Sequence, residues 1–127
     1  MQVNTTGTLG EQWIDACSRP GNPVVLMDTM GASLKSRTAL TGSIVMARRF
    51  RKLSPEQNIG ILLPNSTGSV LANLACTLLG KTAVNLNFTT GSDALVSAVQ
   101  QAEIKTIYTS SRFMEKLLTR GMDIAPL

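Results

Sequence analysis

The chain contains few of the residue types that carry out catalysis. No histidine is present among its 127 residues, which excludes a Ser-His-Asp or Cys-His nucleophile pair, a histidine general base and a histidine-ligated zinc site built from this chain alone. The two cysteines, Cys17 and Cys76, are far apart and neither belongs to a Cys-x-x-Cys pair. We therefore expect two buried free thiols in a reducing compartment, and neither a catalytic residue nor a metal ligand in this chain.

Polar side chains suited to binding a ligand are concentrated in three short segments, 64–66, 87–90 and 109–112. These segments are rich in Ser, Thr and Asn, with Arg112 as their one cation. Such groups cap helices, bind anions at helix N-termini or orient a polar ligand, and capping is the commoner role at any one position. Neither Gly-x-Gly-x-x-Gly nor Gly-x-x-x-x-Gly-Lys-Ser/Thr occurs, so no phosphate-binding loop is expected.

A run of bases forms the other chemical feature of the chain. Arg48, Arg49, Arg51 and Lys52 supply four of the twelve Lys and Arg residues, in a chain of net charge +4. Such a run can meet nucleic acid, anionic lipid or an acidic protein. We prefer the solvated C-terminal end of a helix, where cations suit the helix dipole. Phe50 is the only aromatic residue among the bases, so no nucleic-acid partner is expected.

The three polar segments each follow a short apolar run that is typical of a buried strand. Strands are expected at 58–63, 82–86 and 104–109, and each is followed by a helical pattern. The alternation over 58–121 predicts a βαβαβα unit with a parallel sheet and right-handed crossovers. Because ligands of such sheets bind beyond the carboxyl ends of the strands, we expect the three polar segments to lie along one rim.

The helices of this unit have recognisable ends and faces. The first, 67–79, is apolar except for a line of Ser69, Asn73 and Thr77, and Gly80 is expected to end it in the left-handed conformation. Thr90 and Asp93 resemble a capping box for the second helix. That helix places Leu95, Ala98, Val99 and Ala102 on one side, and the last helix is expected over 111–120.

Upstream of this unit, the pattern predicts a helix, a hairpin and a longer helix. Leu9–Cys17 is expected to be helical, with Leu9, Trp13, Ala16 and Cys17 on its apolar stripe. An antiparallel hairpin is predicted, with arms at Val24–Asp28 and Ala32–Lys35 and a turn at Thr29–Gly31. Ser36 is the expected N-cap of an amphipathic helix whose apolar stripe comprises Ala39, Leu40, Ser43, Met46, Ala47, Phe50 and Leu53.

The whole chain is expected to form one α/β domain. A hydrophobic fraction of 43% and a charged fraction of 16% suit a packed core. We predict a three-layer parallel-sheet subdomain over 58–121, preceded by the helix and hairpin part over 8–57. Met1–Gly10 lacks the pattern of a signal peptide, and Val70–Leu79 has half the ~20 residues of a membrane span. A cytoplasmic location is therefore expected, with any membrane attachment supplied by other segments.

Four strings of residues resemble the start of the adenylate-forming (AMP-binding) synthetase family. They are IGILLPNS at 59–66, LLGK at 78–81, VNLNFT at 84–89 and AEIKTIYT at 102–109. The last two look most like the acyl-ACP synthetase part of bifunctional 2-acylglycerophosphoethanolamine acyltransferase/acyl-ACP synthetases. The likeness spans about residues 8–118, although LKSRTAL at 34–40 matches the family's Leu-Thr-Tyr-x-Glu-Leu string poorly.

The resemblance implies a ligase that activates a fatty acid with ATP and Mg²⁺ and passes the acyl group from an acyl-adenylate to acyl carrier protein or CoA. In the bifunctional members the acyl group then re-acylates a lysophospholipid at the inner membrane. The family's phosphate loop, nucleotide-binding residues and catalytic lysine lie beyond the matched part. The resemblance therefore implies a fragment that is silent and binds no ATP or Mg²⁺ alone, and whose partner is the rest of the synthetase chain.

Within such an enzyme, this chain would form one wall of the site for the acyl group and the carrier arm. The expected wall residues are Asn65, Ser66, Asn87, Phe88 and Thr89, with the amides holding the loops or the carrier arm and Phe88 touching the acyl chain. Two alternatives stay open: a stand-alone flavodoxin-like binding or regulatory module, and a basic adaptor that meets anionic lipid or nucleic acid through residues 48–52. A receiver-type phosphorylation site is disfavoured, because no acidic cluster follows the strand at 59–63.

Overall fold

The structure, a computed structural model, describes residues 6–125 and residue 127. Residues 1–5, part of the segment that lacks the signal-peptide pattern, and Pro126, near the C-terminal end, lie outside the described residues. The helices and strands of the described part are α1 Leu9–Ser18, β1 Val24–Met27, β2 Ser33–Lys35, α2 Ser36–Leu53, β3 Asn58–Ile61, α3 Thr67–Leu78, β4 Thr82–Asn85, α4 Ser92–Gln101, β5 Ile107–Tyr108 and α5 Ser111–Thr119.

The predicted parallel sheet is confirmed, with the strand order β4-β3-β5. Both outer strands run parallel to β3, and hydrogen bonds continue past its last residue through Leu62 N–H to Tyr108 O at 2.9 Å. The third strand is shorter than the predicted 104–109, because the Ile104 N–H donates to Val99 O and so completes the end of α4. β4 was predicted to be buried, but it is an edge strand whose residues are exposed or half-buried.

Alternate residues of β3 point into two separate cores on the two faces of the sheet. Ile59 and Ile61 pack with Phe50 of α2 and with Ala72, Ala75 and Cys76 of α3. Leu62, just past the strand, packs on the other face with residues of α4 and α5, namely Leu95, Phe113 and Leu117. This is the period-two alternation of an extended strand, and it gives the sheet one core with α2 and α3 and another with α4 and α5.

The first core contains a polar link that also joins α2 to the sheet. The rings of Phe50 and Tyr108 are stacked, with centroids 3.9 Å apart. The hydroxyl of Tyr108 shares a hydrogen bond of 2.8 Å with that of Ser54, which is fully buried just after α2. Burying these hydroxyls costs little because each satisfies the other.

The apolar stripe of α1 differs from the predicted one. Gly10 and Cys17 are buried and Trp13 is half-buried, while Leu9 and Ala16 are exposed. The reason is close packing on α3: a Cβ atom on Gly10 would lie 3.3 Å from Thr77 O, so the helix approaches along its glycine. Trp13 Nε1 donates to Ser43 Oγ on α2 at 3.1 Å, which explains the one polar residue in the stripe of α2.

The prediction that Ser36 caps α2 is wrong. Ser36 is the first helical residue, and the N-cap position is Lys35, whose side chain forms no capping hydrogen bond. The cap comes from further upstream, because Asn22 Oδ1 accepts from Arg37 N at 3.1 Å and from Ser36 Oγ at 3.2 Å. At the other end of the helix, Leu53 is 53% exposed rather than part of the core.

Both cysteines are free and buried, as predicted. Burial raises the pKa of the Cys76 thiol to about 11 and also raises the pKa of Cys17. Both thiols are therefore neutral and poor nucleophiles at neutral pH. Across residues 6–125, no helix combines the length and the apolar character that crossing a membrane requires.

Candidate functional site

The predicted rim exists at the carboxyl end of the sheet. Because β4 and β5 both run parallel to β3, the segments 64–66, 87–90 and 109–112 all leave the sheet at the same end. Each leads into the next helix, and Ser66 and Ser110 cap α3 and α5 through their hydroxyls. The polar residues of this rim thus include helix caps, the commoner role for such side chains.

The loop after β3 is built around Ser66. Its Oγ accepts a hydrogen bond from Ser69 N at 3.3 Å and donates one to Pro64 O at 3.1 Å. Asn65, beside it, is exposed to solvent. Ser66 therefore maintains the loop geometry, whereas the amide of Asn65 is available to a ligand.

A carboxylate from the hairpin occupies the start of α3. Asp28 Oδ2 accepts from Thr67 N at 3.0 Å, while its Oδ1 accepts from Met30 N at 2.9 Å and Ala32 N at 3.0 Å. The hydrogen bond from Thr67, followed by the one from Ala32, lowers the pKa of this carboxyl below its ordinary value of 3.8. Asp28 is thus ionised at neutral pH and places a negative charge where the helix would otherwise attract an anion.

An open cleft of about 480 Å³ lies beside this contact, between the hairpin and the start of α3. It is lined on one side by Met27, Asp28 and Thr29, and on the other by Asn65, Ser66, Thr67 and Val70. Sequence reasoning did not identify Asp28. An Asp at the start of a turn is a signal for local bonding, but its contact with Thr67, 39 residues away, is not visible in the sequence.

The loop after β4 is held differently. Asn87 Oδ1 accepts from Thr89 N at 3.0 Å and from Thr89 Oγ1 at 2.7 Å, which closes a local turn. Phe88 packs edge-to-face on Phe113, with ring centroids 4.9 Å apart and an angle of 78° between the planes. The predicted capping box does not form: Thr90 Oγ1 donates to Asn87 O, and the N-cap of α4 is Gly91, which provides no side-chain hydrogen bond.

The structure does not bring the five predicted site residues into one cavity. Asn65 and Ser66 line the cleft beside the hairpin. Phe88 and Thr89 line a second cavity of about 420 Å³, together with residues around the end of α5 that include Leu117, Arg120 and Met122. Asn87 lines neither of these two cavities. Their proposed role as one wall of a binding site remains a prediction.

No protein-family model matches the chain. Among solved structures, the luciferase-like enzyme from the mealworm Zophobas morio is similar at TM-score 0.76 and 18% identity over 97% of this chain. The N-terminal domain of FACL13 from Mycobacterium tuberculosis, solved with an inhibitor, has TM-score 0.76 and 13% identity over 95%. PA1221, an NRPS protein containing adenylation and PCP domains, has TM-score 0.62 and 16% identity over 79%. The chain therefore shares its backbone fold with part of each of these structures.

Each of these structures is matched only in part. The chain spans 32%, 31% and 20% of the lengths of these three structures. At these identities, the likeness concerns the course of the backbone and not the chemistry of any site. The whole fold thus extends well beyond what these residues form.

The start of α3 does not fit a phosphate group of ATP. A phosphate group needs free N–H donors or cations, but Thr67 N already binds the carboxylate of Asp28 and Ser69 N binds Ser66 Oγ. Among the described residues, no three His, Cys, Asp or Glu side chains are grouped so that they could hold a metal ion. We therefore assign no step of nucleotide chemistry to these residues.

Proposed function

We propose that the chain is part of an ATP-dependent ligase that joins a fatty acid to acyl carrier protein or CoA through an acyl-adenylate. The observation that carries the proposal is the backbone likeness to the luciferase-like enzyme and the N-terminal domain of FACL13, which covers 97% and 95% of this chain, together with the likeness to PA1221, which contains an adenylation domain. The strings at 84–89 and 102–109, which resemble acyl-ACP synthetases, support the choice of a fatty acid as substrate. Re-acylation of a lysophospholipid is the proposed use of the product.

Within this proposal, the two cavities at the rim have different ligands. The cavity at Phe88 includes the apolar side chains of Leu117 and Met122, which suit an acyl chain. The cleft at Asn65 has an exposed amide and hydroxyl groups, which suit the amide-rich arm of a carrier. ATP and Mg²⁺ would be held by residues outside these 127.

The proposal predicts that the 127-residue chain does not bind ATP by itself, because its sequence has no phosphate-binding loop and Asp28 already occupies the start of α3. Isothermal titration with ATP and Mg²⁺ should give no more heat than titration into an unrelated protein of similar charge. Micromolar binding that depends on Mg²⁺ would contradict the proposal that ATP is held by residues outside these 127.

The activity is tested on the natural polypeptide, purified from its host with an antibody against this chain. We expect fatty-acid-dependent exchange of labelled pyrophosphate into ATP, followed by formation of an acyl thioester on acyl carrier protein or CoA. Asn65→Ala should raise the KM for the carrier, because Asn65 is exposed at the cleft. Gln100→Ala, an exposed position on α4, is the matched control.

Absence of both reactions from the natural polypeptide would overturn the proposal. A natural polypeptide no longer than this chain, with neither activity, would instead favour the stand-alone binding module.

A further inference from the structure

The outer face of α2 carries an uncompensated positive charge. Arg48, Arg49, Arg51 and Lys52 are all exposed, and none of them forms an ion pair with any described residue. The surrounding sequence reinforces this charge, because the stretch 29–55 contains six bases and no Asp or Glu. The bases are therefore not neutralised by acidic neighbours on their own helix.

The spacing of these residues places them opposite the buried side of the helix. Val45 precedes Arg48 and Arg49 by three and four residues, and Lys52 follows them by four and three, so the four residues share one face. The core-facing residues Ala39, Ser43, Ala47 and Phe50 form the other side. Val45 is 59% exposed and Leu53 is 53% exposed, so two aliphatic side chains stand among the bases.

We propose that this surface binds an anionic lipid surface; we call it the α2 basic face and define it as Val45, Arg48, Arg49, Arg51, Lys52 and Leu53. Charge complementarity supports the choice of partner, because several bases near an anionic membrane act together without needing a shaped pocket. The exposed Val45 and Leu53 can enter the boundary between headgroups and acyl chains, as apolar residues of interfacial helices do. This inference is independent of the proposed ligase activity.

A nucleic acid suits this face less well than a lipid surface. Binding single strands without sequence preference uses aromatic side chains on which bases stack. Phe50, the aromatic residue within the run of bases, is 1% exposed and stacked on Tyr108 inside the core. The exposed side chains between the bases are aliphatic, which favours acyl chains over nucleobases.

The test is sedimentation of the 127-residue chain with lipid vesicles. We expect binding to vesicles of phosphatidylcholine mixed with an equal amount of phosphatidylserine, no binding to phosphatidylcholine alone, and weaker binding as the salt concentration rises. Each base near an anionic surface strengthens binding by about fivefold. Arg48→Gln with Arg49→Gln should therefore weaken binding by about 30-fold.

A matched double variant separates this face from the net charge of the chain. Arg112→Gln with Lys116→Gln removes the same charge from exposed positions on α5 and should leave most of the binding intact. Val45→Ser with Leu53→Ser should weaken binding while preserving its salt dependence. All these side chains are exposed, so equal melting curves by circular dichroism will show that the variants fold.

Three results would overturn the proposal. The first is equal loss of binding in the α2 and α5 double variants, which would indicate net charge alone. The second is equal binding to neutral and anionic vesicles. The third is an absence of vesicle binding, whether or not the chain binds single-stranded RNA or an acidic protein through the same bases.

Discussion

The starts of α3 and α4 occupy equivalent places in the βαβαβα unit but are held by different forces. α3 is capped twice, by Ser66 from its own loop and by Asp28 from the distant hairpin. α4 has no side-chain cap, and its preceding loop is held by Phe88 packing on Phe113. The first loop is therefore tied to a distant element by a hydrogen bond to a carboxylate, whereas the second combines a local turn at Asn87 with apolar packing, so the two should respond differently to substitution and pH.

The ends of the two helices are alike in geometry and differ in residue type. After α3, Lys81 N donates to Cys76 O and Gly80 N to Thr77 O, with Gly80 at φ +66°. After α4 the same pair of bonds forms, but the left-handed position is Glu103, at φ +51°. This matched pair shows that the Schellman geometry is required at both ends, while glycine is only the less strained residue to adopt it.

The largest effect is expected from removing the packing that holds the loop after β4. Phe113→Ala should destabilise the protein by about 3 kcal/mol, because the ring is 6% exposed and its loss leaves a cavity beside Phe88. Ser66→Ala at the other loop should cost only about 1 kcal/mol, the usual value of an N-cap. Urea unfolding measures both; equal costs would contradict the contrast between the two loops.

An intermediate effect is expected at the helix ends, with opposite signs in the matched pair. Gly80→Val should destabilise by about 1–2 kcal/mol through strain alone, since a Cβ there meets no atom within 4 Å. Glu103→Gly should stabilise by up to about 1 kcal/mol, because it relieves the same strain. Thermal unfolding with Gly80→Ala as an additional control tests this; an unchanged melting temperature in Gly80→Val would show that the strain argument fails.

The smallest effect is expected at Asp28 and depends on pH. Because its pKa in the folded state is below 3.8, ionised Asp28 adds stability above that pH, and this stability is lost as the pH falls through the lowered value. The melting temperature should decline more steeply in acid for the unmodified chain than for Asp28→Asn. Hydrogen exchange at the Thr67 amide should be faster in Asp28→Asn at neutral pH; equal rates and parallel acid profiles would indicate that Asp28 does not hold α3.

Most of the fold was predictable because its signals are local. The continuous apolar run at 58–63 indicated a buried strand, which the structure has at Asn58–Ile61, two residues shorter, and Gly80 indicated the end of α3, which is confirmed. The polar line of α3 was visible but unexplained until the structure showed Asn73 exchanging two hydrogen bonds with Asn85 on β4, at 2.9 and 2.8 Å. The local sequence pattern therefore indicated which residues of α3 form polar contacts, but not which residue they contact.

The candidate site was predictable in location but not in arrangement. Parallel strands must release their loops at one end, so the rim followed from the order of elements. Whether Asn65 and Phe88 share a cavity depends on how far the helices separate the loops, and the structure places these residues in two cavities. The same reasoning missed Asp28, since its partner lies in another element.

Periodicity, glycines and the alternation of elements are properties of neighbouring residues, so they were sufficient to predict the α/β class and the parallel direction of the three strands. Contacts between residues far apart in the chain decided three other features. These are the caps supplied by Asn22 and Asp28, the edge position of β4, and the distribution of the rim residues over two cavities. Such contacts depend on the distances and angles at which whole elements pack, and those quantities exist only once the chain has folded.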